Sequence, residues 1–311
     1  MTQQSDRSVF LMLLSVAMLW GGNVVMVKYL TGYFPPLALA PIRLTLATAL
    51  LLPLVLNRYG RQLPPRDTWL PILGVASCSI FFHQLSMSIG TTLTSGTHAV
   101  LILGLNPLFT VVLASLLVKE SLTWSKAVGV LLGFGGAALL AGYGTAQGTA
   151  TVAGELWMVF SMITYVLGSL FVKRATASVS PLVVTAYSHL LGSVGLVMLG
   201  LAANDRWYYD GVAQPWPLAV MLFSSFVCTA LGAIWWNTGI RQVGASVASL
   251  FLSAIPVFGV FASAIFLSED VRFHHVAALL LVTLGVSLGT GVMRPDRLWS
   301  RRRLGEWEEK K

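Results

Sequence analysis

The sequence predicts an all-α integral membrane protein: ten transmembrane helices built as two inverted five-helix repeats, with the N- and C-termini cytoplasmic. Three observations predict it. Hydrophobic residues make up 56% of the 311-residue chain and charged residues only 10%, where a soluble domain carries about 25% charged residues. Ten apolar stretches are each long enough to cross a bilayer. The second half of the chain repeats marks of the first at a nearly constant offset. Lipid is therefore the solvent for most of the chain, which excludes a cytosolic enzyme, a disordered chain and a fibre.

A crossing takes about 20 apolar residues. Such stretches run over 9–29, 36–56, 69–90, 95–118, 124–143, 151–172, 181–203, 215–237, 244–267 and 274–293. Polar or turn-forming segments such as Arg58-Tyr59-Gly60-Arg61 separate them, none long enough to fold as a soluble domain. Residues 1–311 thus form a single membrane domain, with repeat one over 9–143, repeat two over 151–293 and a basic cytoplasmic tail over 294–311. Ala38-Leu39-Ala40 resembles a signal cleavage site but lies inside the second stretch, so the first stretch is kept as a span. Cys78 and Cys228 both sit in apolar runs, where they read as small buried hydrophobes.

Lys and Arg mark the cytoplasmic side. With the N-terminus inside and ten spans, sixteen basic residues fall on the inner side, seven of them in the tail. The outer side has three, Lys28, Arg206 and Arg272, and Arg43 lies within the second span. The net charge of +8 is thereby accounted for as an inside anchor, with no nucleic acid implied. The expected location is the cell inner membrane, as a multi-pass protein.

Asn106-Pro107-Leu108-Phe109 precedes Lys119-Glu120-Ser121-Leu122, as Ile255-Pro256-Val257-Phe258 precedes Ser268-Glu269-Asp270-Val271. Pro107 and Pro256, Glu120 and Glu269, Gly90 and Gly239, and Gly136 and Gly285 are all 149 apart; Lys28 and Lys173, and Pro36 and Pro181, are 145 apart. Each unit holds five spans. Because five is odd, the second copy enters the membrane from the opposite side, the arrangement from which many transporters build a midplane site between two rocking halves.

With a mid-span proline in spans four and nine and a glutamate closing each, the chain resembles the drug/metabolite transporter superfamily, and within it the ten-helix EamA-type exporters. The resemblance covers about residues 9–293. It implies export of small metabolites, with amino-acid exporters, those of aromatic amino acids included, as the nearest relatives.

Candidate transport residues follow from what lies inside the spans. Pro107 and Pro256 each remove a backbone hydrogen bond near mid-span, giving either a hinge or a static kink. Glu120 and Glu269 pair with a base or cap loop amides at opposite faces. Lacking deep carboxylates, the spans offer His83, His98 and His189 as titratable groups, each either cavity-facing or a bonded core histidine. Arg43 could hold a substrate carboxylate; the rival reading is snorkelling or bonding of free carbonyls. Trp20 and Asn23 share a helix face, and the 145 offset carries Trp20 to Tyr165, so these aromatics are expected as cavity walls. Trp235 and Trp236 are expected in an interfacial belt. Ser246, Ser249 and Ser253 form a stripe that serves close helix packing or, for Ser253 near Pro256, reaches the cavity. Gly129 with Gly133, and Gly285 with Gly289, form GxxxG pairs that pack together or make a dimer interface.

No ATP-binding loop, HExxH or GxSxG occurs, so neither cofactor nor metal is expected. A membrane transferase would have to work with loop groups such as Asp205, Asp210, Asp270, His274 and His275, which makes an enzyme the weaker reading. The expected partners are a small-molecule substrate (amino acids or related metabolites) and the bilayer, with a monomer as the simplest working unit. Drug-like or quaternary cations are the rival cargo, since aromatic walls bind them too.

Overall fold

The computed structural model describes residues 2–61, 63–117, 124–146, 150–203 and 206–290. Among them the regular structure is helical, with no strand. Glu120, Asp205, the 294–311 tail and the side chain of Ser246 lie outside the described residues.

Among the described residues seven helical runs are long and apolar enough to cross a membrane: Ser8–Leu30, Pro36–Tyr59, Arg66–Leu93, Val152–Ser178, Pro181–Ala202, Pro215–Val243 and Val247–Phe266. Shorter apolar helices cover Gly96–Thr110, Ala127–Gly136 and Phe273–Leu288. In chain order the α-helices are α1 (Thr2–Leu30), α2 (Pro36–Tyr59), α3 (Trp69–Val75), α4 (His83–Leu93), α5 (Gly96–Leu103), α6 (Asn106–Leu117) and α7 (Trp124–Ala146). The second half continues with α8 (Val152–Ser178), α9 (Pro181–Ala202), α10 (Pro215–Phe223), α11 (Gly232–Val243), α12 (Ala245–Phe251), α13 (Ile255–Phe266) and α14 (Phe273–Thr290).

Local chemistry sets the boundaries. Proline opens α2, α9 and α10, where its missing N–H costs no helical bond. The Ser95 hydroxyl caps α5 by accepting from the His98 amide at 3.1 Å, and Thr151 caps α8 through the Gly154 amide at 3.0 Å. Gly244, at φ 83°, ends α11 in a conformation that side chains with a Cβ rarely adopt.

Two departures from plain helix recur at matching positions. Between α3 and α4 the chain forms a π-helix over Ala76–Phe82, and between α10 and α11 another over Ser224–Leu231. In the spans carrying Pro107 and Pro256 the α-helix is interrupted. Gly104 and Leu105 interrupt the first, so Pro107 sits in the opening turn of α6; a 3₁₀ turn over Leu252–Ala254 interrupts the second, and Pro256 opens α13. The expected mid-helix kink is thus a tightened turn in each span, with the backbone right-handed through it, and the proline falls in the first turn after it, where its missing N–H costs no bond. The breaks touch: a Cβ on Gly104 would run into the Pro256 ring.

Glycine lets the helices approach closely. A Cβ on Gly285 of α14 would lie 2.6 Å from the Gly129 carbonyl oxygen and 2.7 Å from the Gly133 nitrogen of α7, and one on Gly136 would lie 3.1 Å from the Ala278 oxygen. Gly285 therefore packs on the Gly129 and Gly133 pair inside this chain. Around the centre, Gly21 of α1 meets the Ile255 carbonyl and Gly259 of α13 meets Val100 of α5.

Candidate functional site

A central cavity of about 90 Å³ opens where the π-helices, the breaks, α1, α8 and α9 converge. That is room for several waters. Its wall includes Trp20 and Asn23 from α1, Ser79 and Ile80 from the first π-helix, His83, Gln84 and Met87 from α4, and Asn106 at the first break. From the second half come Tyr165 and Ser169 of α8, Ser188 and His189 of α9, Cys228 and Thr229 of the second π-helix, Trp236 and Asn237 of α11, and Ile255. No charged side chain is in this lining.

Aromatic rings form one face. Trp20 and Tyr165 stand edge to face, centroids 5.7 Å apart and planes at 89°, and Trp236 lies 5.3 Å from Trp20 and 6.3 Å from Tyr165. The Trp20 indole N–H donates to the Cys228 carbonyl at 3.0 Å. By contrast, the Trp236 N–H and the Tyr165 hydroxyl are buried without a partner, as are Gln84 Oε1 and Asn106 Oδ1. Buried polar atoms are almost always bonded. Four unmet groups on one cavity wall, a donor, a hydroxyl and two acceptors, form a set that a polar cargo or water would satisfy.

Most buried hydroxyls take no part, because they bond back to their own helix: Thr91 to the Met87 carbonyl, Thr176 to Val172, Thr185 to Pro181 and Ser225 to Met221. The second π-helix differs. Thr229 donates to the Ser224 carbonyl five residues back at 2.8 Å, and the Ser224 hydroxyl donates to Asn23 Oδ1 at 2.6 Å. Asn237 donates from Nδ2 to the Thr185 hydroxyl at 2.8 Å.

Each of the two cavity histidines is bonded through Nδ1. His83 Nδ1 lies 3.0 Å from the Ser161 carbonyl, which can only accept, while the Ser161 hydroxyl donates to the His83 carbonyl at 3.0 Å. His189 Nδ1 lies 2.8 Å from the Thr185 carbonyl. A carbonyl partner calls for a proton on Nδ1 in both rings, and the Ser161 hydroxyl lies 2.8 Å from His83 Nδ1 as well.

Away from the cavity, a carboxylate ties one end of α5 to the chain beyond α13. The Glu269 carboxylate accepts from the Gly96 amide (2.8 Å), the Thr97 amide (2.9 Å) and the Thr97 hydroxyl (2.7 Å), so it caps α5 from beyond the end of α13. A carboxylate there satisfies the free amides of the first turn and the positive end of the helix dipole. Beside it, His98 Nδ1 pairs with Glu155 Oε1 at 2.8 Å, and the His98 and His275 rings are 5.7 Å apart.

The profile of the EamA-like transporter family matches this chain twice, over residues 7–142 and 152–290. The chain belongs to that family. It is 29% identical over 296 residues to the uncharacterized transporter YyaM of Bacillus subtilis (strain 168), covering 92% of this chain and 95% of that protein. An uncharacterized transporter of Archaeoglobus fulgidus is 26% identical over 270 residues, 86% of this chain and 93% of that one. A solved crystal structure superposes with a TM-score of 0.66 at 21% identity, covering 91% of this chain and 98% of that chain, a likeness of fold. The protein is a multi-pass membrane protein of a transporter family.

Within this EamA-family cavity the structure gathers Trp20, Asn23, His83, Tyr165 and His189. Three expected site residues lie elsewhere. His98 is at the start of α5, outside the cavity lining and bonded to Glu155. Ser253 turns back to the Leu250 carbonyl at 2.6 Å, as a serine in a 3₁₀ turn readily does. Arg43 is fully buried behind Thr229, whose hydroxyl accepts from its Nη2 at 3.2 Å; it neither snorkels nor bonds a carbonyl. Glu269 caps amides, one of the two readings given for it. Trp236 was assigned to an interfacial belt; α11 runs on to Val243, which places the indole beside the cavity, 3% exposed. Gln84, Asn106 and Asn237 were not anticipated at all. Their signal, amide side chains in apolar stretches, was present in the sequence.

Proposed function

We propose that this EamA-family protein is a secondary carrier that exports small metabolites, amino acids foremost, across the inner membrane by alternating access. Ten crossings form two inverted five-helix units with both termini cytoplasmic, and the central cavity holds the cargo between them. The observation that carries this reading is contact between equivalent residues. A point on a two-fold axis is its own image, so residues related by the repeat should meet there. Trp20 and Tyr165 touch at an offset of 145, and the Thr48 and Ser193 hydroxyls lie 3.4 Å apart at the same offset. The paired π-helices, the paired breaks and the double family match support the same symmetry.

In this scheme the Pro107 and Pro256 breaks are the hinges, Trp20 and Tyr165 stack the cargo, and Asn23, His83 and His189 border it. Transport is the conclusion over catalysis, since the polar groups converge at mid-span rather than at a membrane face. The purified protein in liposomes, given a panel of labelled amino acids with and without a pH gradient, tests the proposal. Saturable uptake with mutual competition is expected, insensitive to the gradient if the carrier is uncoupled. Absence of flux for every amino acid, with saturable flux of quaternary cations instead, would overturn the cargo assignment.

A further inference from the structure

We propose that Arg43 holds an acidic group of the cargo, so that a carboxylate is obligatory for transport and an ammonium group is optional. This rests on the carrier reading above and narrows it to a chemical class. Arg43 is 0% exposed, seven residues into α2 from Pro36. Its guanidinium makes one hydrogen bond, from Nη2 to Thr229 Oγ1, and leaves Nε and Nη1 without a partner. A buried charge with unmet donors is costly unless an anion completes it, and the planar fork of N–H groups matches a carboxylate.

No described carboxylate fills that role. Glu155 is bonded to His98 and Glu269 to the start of α5, while Asp67, Asp210 and Asp270 are exposed. The charge nevertheless lies directly behind the cavity wall, because Thr229, its one partner, lines the cavity in the π-helix. Thr229 spends its proton on the Ser224 carbonyl, so its oxygen is free to accept from Arg43 and the pair is held in place.

The repeat adds an independent argument. Trp20 and Tyr165 keep an aromatic ring at equivalent positions, and Thr48 and Ser193 keep a hydroxyl, as a shared scaffold requires. The equivalent of Arg43 is Ser188, an uncharged cavity-lining residue. The charge is therefore an addition to one copy, placed for something other than the common fold. For an ammonium group the described wall supplies uncharged partners: the Gln84 Oε1 and Asn106 Oδ1 acceptors, the Tyr165 hydroxyl and the aromatic ring faces. These tolerate a cation without demanding one, and a cargo that is purely cationic meets Arg43 with nothing to compensate it.

The test uses three probes that share one ring: L-phenylalanine, 3-phenylpropionate and 2-phenylethylamine, each labelled and offered to the full chain in liposomes. Both carboxylates are expected to enter saturably, and the amine at least about tenfold more slowly. Arg43→Gln should cut carboxylate uptake at least about tenfold and abolish the preference, while Arg43→Lys, which keeps the charge without the fork, should retain an intermediate rate. Monodispersity and melting temperature of each variant separate loss of function from misfolding. If R43Q does not fold, the preference of the unaltered protein and the R43K rate decide. Uptake of the amine as fast as the acids, or undiminished acid uptake by folded R43Q, would overturn the role of Arg43 and leave the carrier intact. Uptake of phenylalanine without phenylpropionate would overturn the optional ammonium. Uptake of none of the three would count against both this inference and the carrier reading.

Discussion

Removing the Glu269 carboxylate should loosen the tie between the start of α5 and the chain beyond α13. Three donors converge on it, the Gly96 amide at 2.8 Å, the Thr97 amide at 2.9 Å and the Thr97 hydroxyl at 2.7 Å. Hydrogen bonds to a charged group contribute about 1.5–3 kcal/mol each when buried. Glu269 is only half-buried, and in Glu269→Ala water can reach the freed donors, so the net loss is nearer about 2 kcal/mol for the set. At about 1.4 kcal/mol per factor of ten, that shifts the local opening of this contact roughly 30-fold. Ser263 is a suitable reporter: it is fully buried, and its hydroxyl oxygen would lie 2.8 Å from a Cβ on Gly96. With Cys78 and Cys228 replaced by serine and Ser263 by cysteine, maleimide labelling in vesicles should accelerate roughly 30-fold in Glu269→Ala. Glu269→Gln, which keeps one acceptor oxygen, should fall between. Equal labelling rates with and without the carboxylate would refute the tie.

Gly285→Leu should lower the melting temperature in detergent by several degrees, because even its Cβ has no space against the Gly129 oxygen and overpacking costs about 1–3 kcal/mol; an unchanged melting temperature would refute the close helix contact. Trp236→Phe keeps the ring and deletes an unpartnered N–H. If cargo accepts that bond, KM should rise about 2–10-fold, the equivalent of about 0.5–1.5 kcal/mol, at equal protein level. Pro256→Ala should change the transport rate more than the protein level, and an unchanged rate would remove the hinge role.

Composition and pattern made the membrane setting and helix positions readable, since about 20 apolar residues in a row have few other folds. The glycine contact between α7 and α14 was readable for a similar reason: small residues four apart mark a close face. Trp20 and Tyr165 were found because the repeat offset links them. The π-helices were not, as one extra residue in a turn leaves hydrophobic periodicity almost unchanged over a few residues. That hid the positions of Thr229 and Trp236 relative to the cavity. Ser253 and His98 failed as cavity residues because spacing along a helix says which face a side chain shares but not which neighbour covers it. The pairing of Glu155 with His98 likewise depends on a long-range approach of α5 and α8.

The contact of Trp20 with Tyr165 has a consequence for the energetics of the cycle. Were the two copies identical, the conformer closed at one end and the conformer closed at the other would be images of each other and equal in free energy. Each position where the copies differ lifts that degeneracy. Tryptophan faces tyrosine on the axis, and the counterpart of His83, whose ring lies 4.9 Å from Tyr165, is Gly232, which leaves Trp20 without such a partner. In the proposed carrier these mismatches would lie at the pivot, where both conformers feel them, and would set which way it rests when empty. Divergence between the copies thus tunes the resting bias of the machine, while their likeness preserves its ability to turn over.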